Sequence, residues 1–286
     1  MPFDLATRAL RLFPPALIRA IGRSQWTGWL PRRLVAAGSG WLRRRDITIP
    51  HGAAAGLRFN AGGANPGYAL GTSEPLVQDA LLRHVRPGDV VLDIGANVGF
   101  HTLIAARIVG PVGHVYAIEP FPQNVAALAH NVALNAFTQV TVIEAAAWRV
   151  EGRADLIVSG EPTWARLDAV RERGGAETSV PVRLVAIDDL VREALVRPPA
   201  VVKMDIEGAE IEALQGMART LAAWRPTVIC EMHGRNADFA VLMRACGYTL
   251  TALEEPTPVE RARADIHAVA VHPAGPAARG VAANPT

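Results

Sequence analysis

Residues 90–99 read VVLDIGANVG, and this stretch decides the fold class of the chain. Its apolar run, broken only by Asp93, predicts a buried β-strand over 90–95. Gly95 and Gly99 then predict a tight turn that leads directly into a helix. A strand followed so closely by a helix is the first half of a βαβ unit.

The same alternation continues along the chain. Further strands are predicted at 114–119, 140–145, 201–207 and 227–233, with short strands within 151–187 and around 247–253 and 266–271. Helices are predicted at 76–85, 97–109, 122–135, 188–196, 209–223 and 236–245. This order predicts an α/β fold with a largely parallel, Rossmann-like sheet and helices on both faces.

Composition excludes several classes of protein. Half of the 286 residues are hydrophobic and 20% are charged, which excludes a mainly disordered chain. No apolar run reaches the roughly 18 residues that span a bilayer. The two cysteines, Cys230 and Cys246, argue against a secreted disulfide scaffold. We therefore expect a cytoplasmic protein, and an oligomer is compatible with the sequence.

The N-terminal segment differs in charge from the rest. Residues 1–45 hold nine arginines and one acid, a charge of +8, whereas the remainder carries −6. This amphipathic, Trp-bearing segment is interpreted as a helical cap on the main domain, with peripheral membrane contact as the alternative. Prolines that break its apolar runs favour the cap. We expect three parts: an extension or cap at 1–71, the main domain at 72–272 and a mobile tail at 273–286.

Acidic side chains at two strand ends indicate the cofactor. The turn after the first strand is not G-x-G-x-x-G, which disfavours a dinucleotide, and Asp93 would repel a pyrophosphate but suits an amino group. Glu119 ends the second strand, where a carboxylate can accept both ribose hydroxyls. Small residues at Ala145 and Ala146 leave room beside Glu144 for an adenine, on which Phe121 can pack. Together these features predict S-adenosylmethionine (SAM).

Four longer stretches resemble the FkbM family of SAM-dependent methyltransferases: VVLDIGANVGFHT, AIEPFPQNVAALAHNVALN, VKMDIEGAEIEALQGM and PTVICEMH. The resemblance covers roughly 72–233 and implies a seven-stranded class I methyltransferase sheet and O-methylation of sugars, glycoconjugates or other natural products. By resemblance, the methionine-side loop comprises Asp93, Gly95, Ala96, Asn97 and Gly99. Glu119 matches the ribose acid, Glu144 with Ala145 the adenine edge, and Glu74 an upstream acid for the amino-acid end.

Candidate catalytic residues lie at the ends of the fourth and fifth long strands. Alternation places Lys203, the only lysine of the chain, on one strand face with Asp205 and Glu207. Two acids and a cation are costly to bury without purpose, although a purely structural ion pair is the alternative. Asp205 is expected to serve both cofactor and catalysis.

Glu231 and His233 share a face by the same alternation. With Asp205 they form either a divalent-metal site or a base with its orienting acid. His233 is the first choice for the general base and His101 the second, because an imidazole titrates near neutral pH. A metal is not favoured, because this spacing of Asp, Glu and His is not diagnostic.

These features predict a SAM-dependent O-methyltransferase with a small-molecule or glycan acceptor. The alternative is a SAM-binding module without catalysis that docks through its basic N-terminal segment. The fourth long strand ends in DIEG and lacks the proline-aromatic motif expected for methylation of base nitrogens, so a nucleic-acid partner is disfavoured. No P-loop and no G-x-S-x-G motif occurs. The acceptor and the methylated position have no readable motif.

Overall fold

The computed structural model describes residues 45–62, 64–158, 165–167 and 178–276. The interpretations of residues 1–44 as a cap or membrane segment, and of 277–286 as a mobile tail, concern residues outside these ranges.

Within the described ranges the strands are β1 (Ile47–Thr48), β2 (Arg58–Phe59), β3 (Val90–Ile94), β4 (His114–Glu119), β5 (Val140–Glu144), β6 (Ala146–Ala147), β7 (Gly152–Val158), β8 (Ala165–Leu167), β9 (Thr178–Val185), β10 (Val201–Met204), β11 (Thr227–Glu231), β12 (Thr249–Ala252) and β13 (His267–Val271). The α-helices are α1 (Pro66–Leu70), α2 (Pro75–His84), α3 (Phe100–Val109), α4 (Pro122–Leu134), α5 (Ile187–Arg192), α6 (Glu210–Gln215), α7 (Ala218–Trp224) and α8 (Asn236–Ala245). Proline occupies the first turn of α1, α2 and α4, where its missing N–H costs no helical hydrogen bond.

The main sheet has seven strands in the order β12-β13-β11-β10-β3-β4-β5. Strands β11, β10, β3, β4 and β5 pair in parallel, and β13 runs antiparallel to both β11 and β12. The chain moves from β3 outward to β5 and then returns to β10 on the other side of β3. The order therefore reverses between β3 and β10, which is where ligands bind in sheets of this type.

Two apolar clusters cover the two faces of this sheet. On one face Val91 of β3 packs with α2 and α3, and on the other Leu92 packs with α5 to α8. The alternation of adjacent β3 residues between the clusters follows from the two-residue period of a strand. The seven-stranded sheet with helices on both faces is confirmed.

The segment before α2 joins the same core. Ile49 and Phe59 are fully buried among α2 and α3 side chains. The Asn131 side chain of α4 accepts a hydrogen bond from the Asn60 backbone N–H at 2.7 Å and donates one to its carbonyl at 2.9 Å. The residues from 47 onward thus pack directly on the main domain.

A second sheet of four strands, in the order β6-β9-β7-β8, follows β5. The predicted short strands within 151–187 are thus present. Leu156 and Leu184 of this sheet pack with Phe121 and Ala209, which follow β4 and β10. The second sheet therefore lies beside the ends of two main-sheet strands.

Several predicted elements are shorter than expected, among them the helix predicted at 97–109, which begins at Phe100, and the helix predicted at 188–196, which ends at Arg192. Strand β10 ends at Met204 because the chain turns away through Glu207 and Gly208, both with positive φ. Strand β11 ends at Glu231 rather than 233. The predicted helix 209–223 is divided into α6 and α7 at Gly216, whose Cβ would lie 2.0 Å from the Trp148 carbonyl oxygen. Among the helices of the described ranges, none is both long and apolar enough to cross a bilayer.

Candidate functional site

The loops that follow β3 and β10 meet at the point where the strand order reverses. Gly95 has φ +76°, and a Cβ atom on it would lie 1.8 Å from the Asp205 carbonyl oxygen. The Asp205 N–H donates to the Ile94 carbonyl at 3.0 Å. Glycine at position 95 thus lets the two loops approach closely, and this contact sets the position of Asp205. We call the side of the main sheet where its parallel strands end the carboxyl edge.

Glu119, at the end of β4, holds the neighbouring loop in place. Its two oxygens accept hydrogen bonds from the backbone N–H groups of Asn97 at 2.8 Å and Phe121 at 3.0 Å, and from the Asn124 side chain at 3.2 Å. Burial raises the pKa of Glu119, and these hydrogen bonds oppose the rise. Through these hydrogen bonds Glu119 connects the turn after β3 to the start of α4.

Lys203 lies between two carboxylates and is almost completely buried. Its Nζ is 3.7 Å from Asp93 Oδ1, 3.6 Å from Asp205 Oδ2 and 3.4 Å from the Gly95 carbonyl oxygen. Asp93 also accepts a 2.6 Å hydrogen bond from the Thr102 hydroxyl. Burial alone would lower the pKa of Lys203, but Asp205, Asp93 and Glu74 raise it above its ordinary value. Lys203 is thus a buried cation beside the two acids.

Glu74 and His101 form a second contact at the carboxyl edge. Tyr68 donates a 2.8 Å hydrogen bond to Glu74 Oε1, and His101 Nε2 lies 3.5 Å from Glu74 Oε2. Burial and the charge of Asp205 raise the pKa of Glu74. Burial lowers the pKa of His101 to about 3, and Lys203 adds to this effect. His101 is therefore neutral near pH 7.

His233 is held by a carboxylate that has no solvent exposure. Its Nδ1 lies 2.8 Å from Glu210 Oε1, and its Nε2 lies 3.5 Å from Glu207 Oε2 and 4.0 Å from Glu231 Oε1. Glu210 Oε1 also accepts the Gly208 N–H at 2.9 Å. Burial would lower the pKa of His233, but the hydrogen bond and charge of Glu210, with Glu207 and Asp205, raise it to about 9.

His267 reaches Glu231 from the opposite side. It is the register partner of Glu231 in the antiparallel pair of β11 and β13, and its Nε2 lies 3.2 Å from Glu231 Oε2. Its Nδ1 lies 2.5 Å from Glu254 Oε1. Burial would lower the pKa of His267, but Glu231 and Glu254 raise it to about 9. Glu231 is thus shared by two histidines, each held from behind by another acid. We call Glu210, His233, Glu231, His267 and Glu254 the histidine–carboxylate row.

The predicted site residues gather at the carboxyl edge. The candidates for catalysis are in mutual contact there: Lys203 with Asp205, and His233 with Glu231. Phe121 is buried against the second sheet and Ala145 is buried beside Glu119, whereas Glu144 is exposed at the end of β5. Ala96 is buried and Asn97 adopts a positive φ of 50° in the turn after β3.

Three residues of the histidine–carboxylate row were not predicted from the sequence: Glu210, His267 and Glu254. Glu210 was not among the candidate residues, yet it is buried and bonded to His233. His267 and Glu254 carried no sequence signal, because only the antiparallel direction of β13 brings its first residue to the carboxyl edge. An acid two residues after the DIEG turn, paired with a histidine at the next strand end, is the one pattern that could have indicated Glu210.

Within the described ranges, two groups of side chains have donor atoms close enough to hold a metal ion. They are Asp205, Glu231 and His233, the set considered from sequence, and Glu74, Glu231 and His267. In each, the donor atoms lie within 4.8 Å of one another. Both sets combine carboxylate oxygen with imidazole nitrogen, a mixture that suits first-row transition metals.

Comparison with known sequences gives a consistent result. A sequence model described as the methyltransferase FkbM domain matches residues 93–250. The chain is 31% identical over 153 residues to the hexuronic acid methyltransferase AglP of Haloferax volcanii, covering 54% of this chain and 59% of that protein. It is 28% identical over 256 residues to the 31-O-demethyl-FK506 methyltransferase FkbM of Streptomyces tacrolimicus, covering 78% of this chain and 95% of that protein.

Solved structures include one of an FkbM methyltransferase from Methylobacillus flagellatus. It shares 18% identity and a TM-score of 0.45 with this chain, covering 84% of this chain and 59% of the other.

Proposed function

The chain belongs to the FkbM methyltransferase family, a SAM-dependent family, and on that premise we propose that it transfers the methyl group of SAM to a hydroxyl of a sugar, glycoconjugate or other natural product. The names of two relatives support this acceptor class: one acts on a hexuronic acid, the other on an oxygen of FK506. The observation that carries the proposal is the orientation of His233 by buried Glu210 beside Asp205.

SAM fits the acids at the carboxyl edge. Asp93 and Glu74 each keep one buried carboxylate oxygen without a hydrogen bond. Asp93 lies beside Lys203, and Glu74 lies beside His101. Carboxylates there suit the amino group of the methionine end. We assign the ribose to Glu119, the adenine to Phe121, Glu144 and Ala145, and the remaining backbone contacts to Gly95, Ala96, Asn97 and Gly99.

The reaction needs positioning and removal of one proton. The S–CH₃ bond of the sulfonium breaks while an O–CH₃ bond forms, with the acceptor oxygen in line at about 3 Å. S-Adenosylhomocysteine leaves as a neutral thioether, and the hydroxyl proton passes to Nε2 of His233 in its neutral form. Glu210 then stabilises the imidazolium through Nδ1, as expected of a base with an orienting acid.

Asp205 and Lys203 have supporting roles. Asp205 is held between Lys203 and the turn after β3, so its carboxylate faces the point where strand order reverses. A carboxylate there attracts the cationic sulfonium. The sulfonium charge in turn opposes protonation of His233, because like charges repel. Binding of the donor therefore favours the neutral form of the imidazole that the reaction uses.

Mass spectrometry with isotope-labelled cofactor tests the proposal. The purified protein is incubated with SAM bearing a trideuterated methyl group and with extracts rich in glycans and small metabolites. We expect a labelled product whose methyl group lies on oxygen by NMR. The variants Asp205→Ala and His233→Ala should lose turnover while still folding. Turnover unchanged in both variants would reject the catalytic assignment, and absence of any labelled product with SAM-binding protein would reject methyl transfer.

A further inference from the structure

Three buried polar atoms near Glu231 make no hydrogen bond. Seven buried side-chain polar atoms in the described part of the chain make no hydrogen bond, and these three of them are Glu74 Oε2, His101 Nε2 and His267 Nε2, the last at 3.2 Å from Glu231 Oε2. The His101 side chain is only 6% exposed, and its Nε2 is aimed at Glu74 Oε2 at 3.5 Å. A buried polar atom without a partner destabilises the folded state. Three such atoms in one place indicate a missing ligand.

The ring of His267 is oriented for coordination. Glu254 accepts the His267 backbone N–H at 2.9 Å through one oxygen and lies 2.5 Å from Nδ1 through the other. The ring cannot turn without losing the Nδ1 contact, so Nε2 faces Glu231. A carboxylate that holds one ring nitrogen while the other faces donor oxygens is the usual environment of a metal-bound histidine.

We propose that Glu74, Glu231 and His267 bind one divalent first-row transition-metal ion, in which case Asp93 alone takes the amino group of the methionine end. Their donor atoms lie within 4.8 Å of one another, a spacing that one ion can bridge. Two carboxylates and an imidazole favour Mn²⁺ or Zn²⁺ over Mg²⁺ and Ca²⁺, which prefer all-oxygen ligands. His101 Nε2, next to Glu74, is a further nitrogen at the side of this set.

The alternative set of Asp205, Glu231 and His233 is less suited, because it places the ion beside the Lys203 cation. Asp205 lies 3.6 Å from Lys203 Nζ, and His233 Nε2 lies 3.5 Å from Glu207 Oε2. In the proposed set, Glu74 Oε2 makes no hydrogen bond and lies 3.5 Å from His101 Nε2, and His267 Nε2 lies 3.2 Å from Glu231 Oε2, which is itself a member of the set. A metal in the proposed set also leaves His233 free to act as the base.

The charge of the region supports a cation. The contacts described above include one lysine and three histidines. They also include seven carboxylates, those of Glu74, Asp93, Asp205, Glu207, Glu210, Glu231 and Glu254. Carboxylates removed from water require compensating positive charge. A divalent ion supplies it without contacting Lys203. The ion would lie on the side of Glu231 opposite His233, where it can bind the acceptor oxygen. This role in catalysis, unlike the metal site itself, rests on the proposed function.

Metal titration of the cofactor-free full chain tests the site. Free Mn²⁺ is followed by electron paramagnetic resonance, and Zn²⁺ by competition with a chromophoric indicator. We expect one ion per chain. His267→Gln should weaken binding at least about tenfold, and Glu254→Gln by about 10- to 100-fold because it releases the ring. His114→Gln, at the amino end of β4, is the matched control and should bind normally.

Binding of S-adenosylhomocysteine, measured by calorimetry, shows that each variant is folded. It also separates the metal site from the methyltransferase proposal, because the titration uses no cofactor. The proposal is wrong if neither metal binds, or if His267→Gln and Glu254→Gln both bind as tightly as the unaltered chain. It is equally wrong if His233→Gln, rather than His267→Gln, abolishes binding, because the ion then belongs to the other set.

Discussion

Oε1 of Glu210 lies 2.8 Å from Nδ1 of His233, and the Glu210 side chain has no exposure to solvent. This contact joins the first turn of α6 to the residue two positions after β11. A buried carboxylate bonded to one ring nitrogen fixes both the tautomer and the direction of the other. It makes Glu210 a positioning residue for the proposed base.

The substitution Glu210→Gln is expected to lower kcat without changing the KM for SAM. Loss of a hydrogen bond to a charged group costs about 1.5–3 kcal/mol, or roughly 10- to 100-fold in rate. Steady-state kinetics measure both constants. Glu212→Gln, on the same helix but bonded to Arg235 at 2.9 Å, is the matched control and should keep kcat. An unchanged kcat in Glu210→Gln would show that Glu210 has no role in catalysis.

The substitution Gly95→Ala is expected to disrupt the site and the fold together. Its Cβ would lie 1.8 Å from the Asp205 carbonyl oxygen, and backbone on both sides leaves no simple relief. We expect a loss above about 4 kcal/mol in free energy of unfolding, measured with urea.

Gly56→Ala is the control for this prediction. Gly56 also has a positive φ, of +88°, but nothing lies within 4 Å of an added Cβ. Only the conformational cost of about 1–2 kcal/mol should appear there. Equal losses in the two variants would mean that the contact with Asp205 is unimportant.

Replacement of the only lysine is expected to destabilise the protein. Lys203→Met leaves Asp93 and Asp205 without their buried cation, and breaking a buried ion pair costs about 3–5 kcal/mol. The double variant with Asp205→Asn should recover part of this loss, since one uncompensated charge is gone. Arg153→Met, at an exposed position of β7, should change stability by no more than about 0.5 kcal/mol. A single variant as stable as the unaltered chain would contradict this reading of Lys203.

Cofactor binding is expected to weaken in acid through Glu119. Burial raises the pKa of this carboxyl above its ordinary value of 4.5, so it gains its proton at a higher pH than an exposed glutamate. The ionised form accepts ribose hydroxyls, and affinity is therefore full above the raised pKa and falls as pH drops through it.

Calorimetry with S-adenosylhomocysteine between neutral and acidic pH measures this dependence. The variant Glu119→Gln should bind more weakly at neutral pH and show a smaller loss on acidification, because Gln carries no titrating proton. The same acid sensitivity in both proteins would assign the effect to another group.

Without cofactor, the contribution of Glu119 to the free energy of unfolding depends on pH with the opposite sign. A raised carboxyl pKa means that the native state binds the proton more tightly than the unfolded chain. The contribution of Glu119 to stability is therefore present below its ordinary pKa and is lost as pH rises through the raised value. Acid thus weakens cofactor binding while relieving the burial cost of this one carboxylate.

Much of the fold and part of the site follow from local sequence pattern. The apolar period and glycine turn of residues 90–99 specify a strand and the following helix, and the acids at Asp93, Glu119 and Asp205 lie at or just after strand ends. Parallel strands end at one edge, so these acids meet there without further information. The early end of β10 was missed because a turn overrides the strand periodicity there. The break at Gly216 was missed because the contact with Trp148 overrides the helical periodicity.

The sequence by itself determined the parallel α/β sheet, the cofactor class and the residues at the strand ends, because strand and helix periods are local properties of the chain. Only the tertiary structure decided that Glu210 holds His233, that Gly95 packs on Asp205 and that His267 faces Glu231. The physical reason is the antiparallel direction of β13 and the close approach of loops more than a hundred residues apart. No local period encodes either relationship.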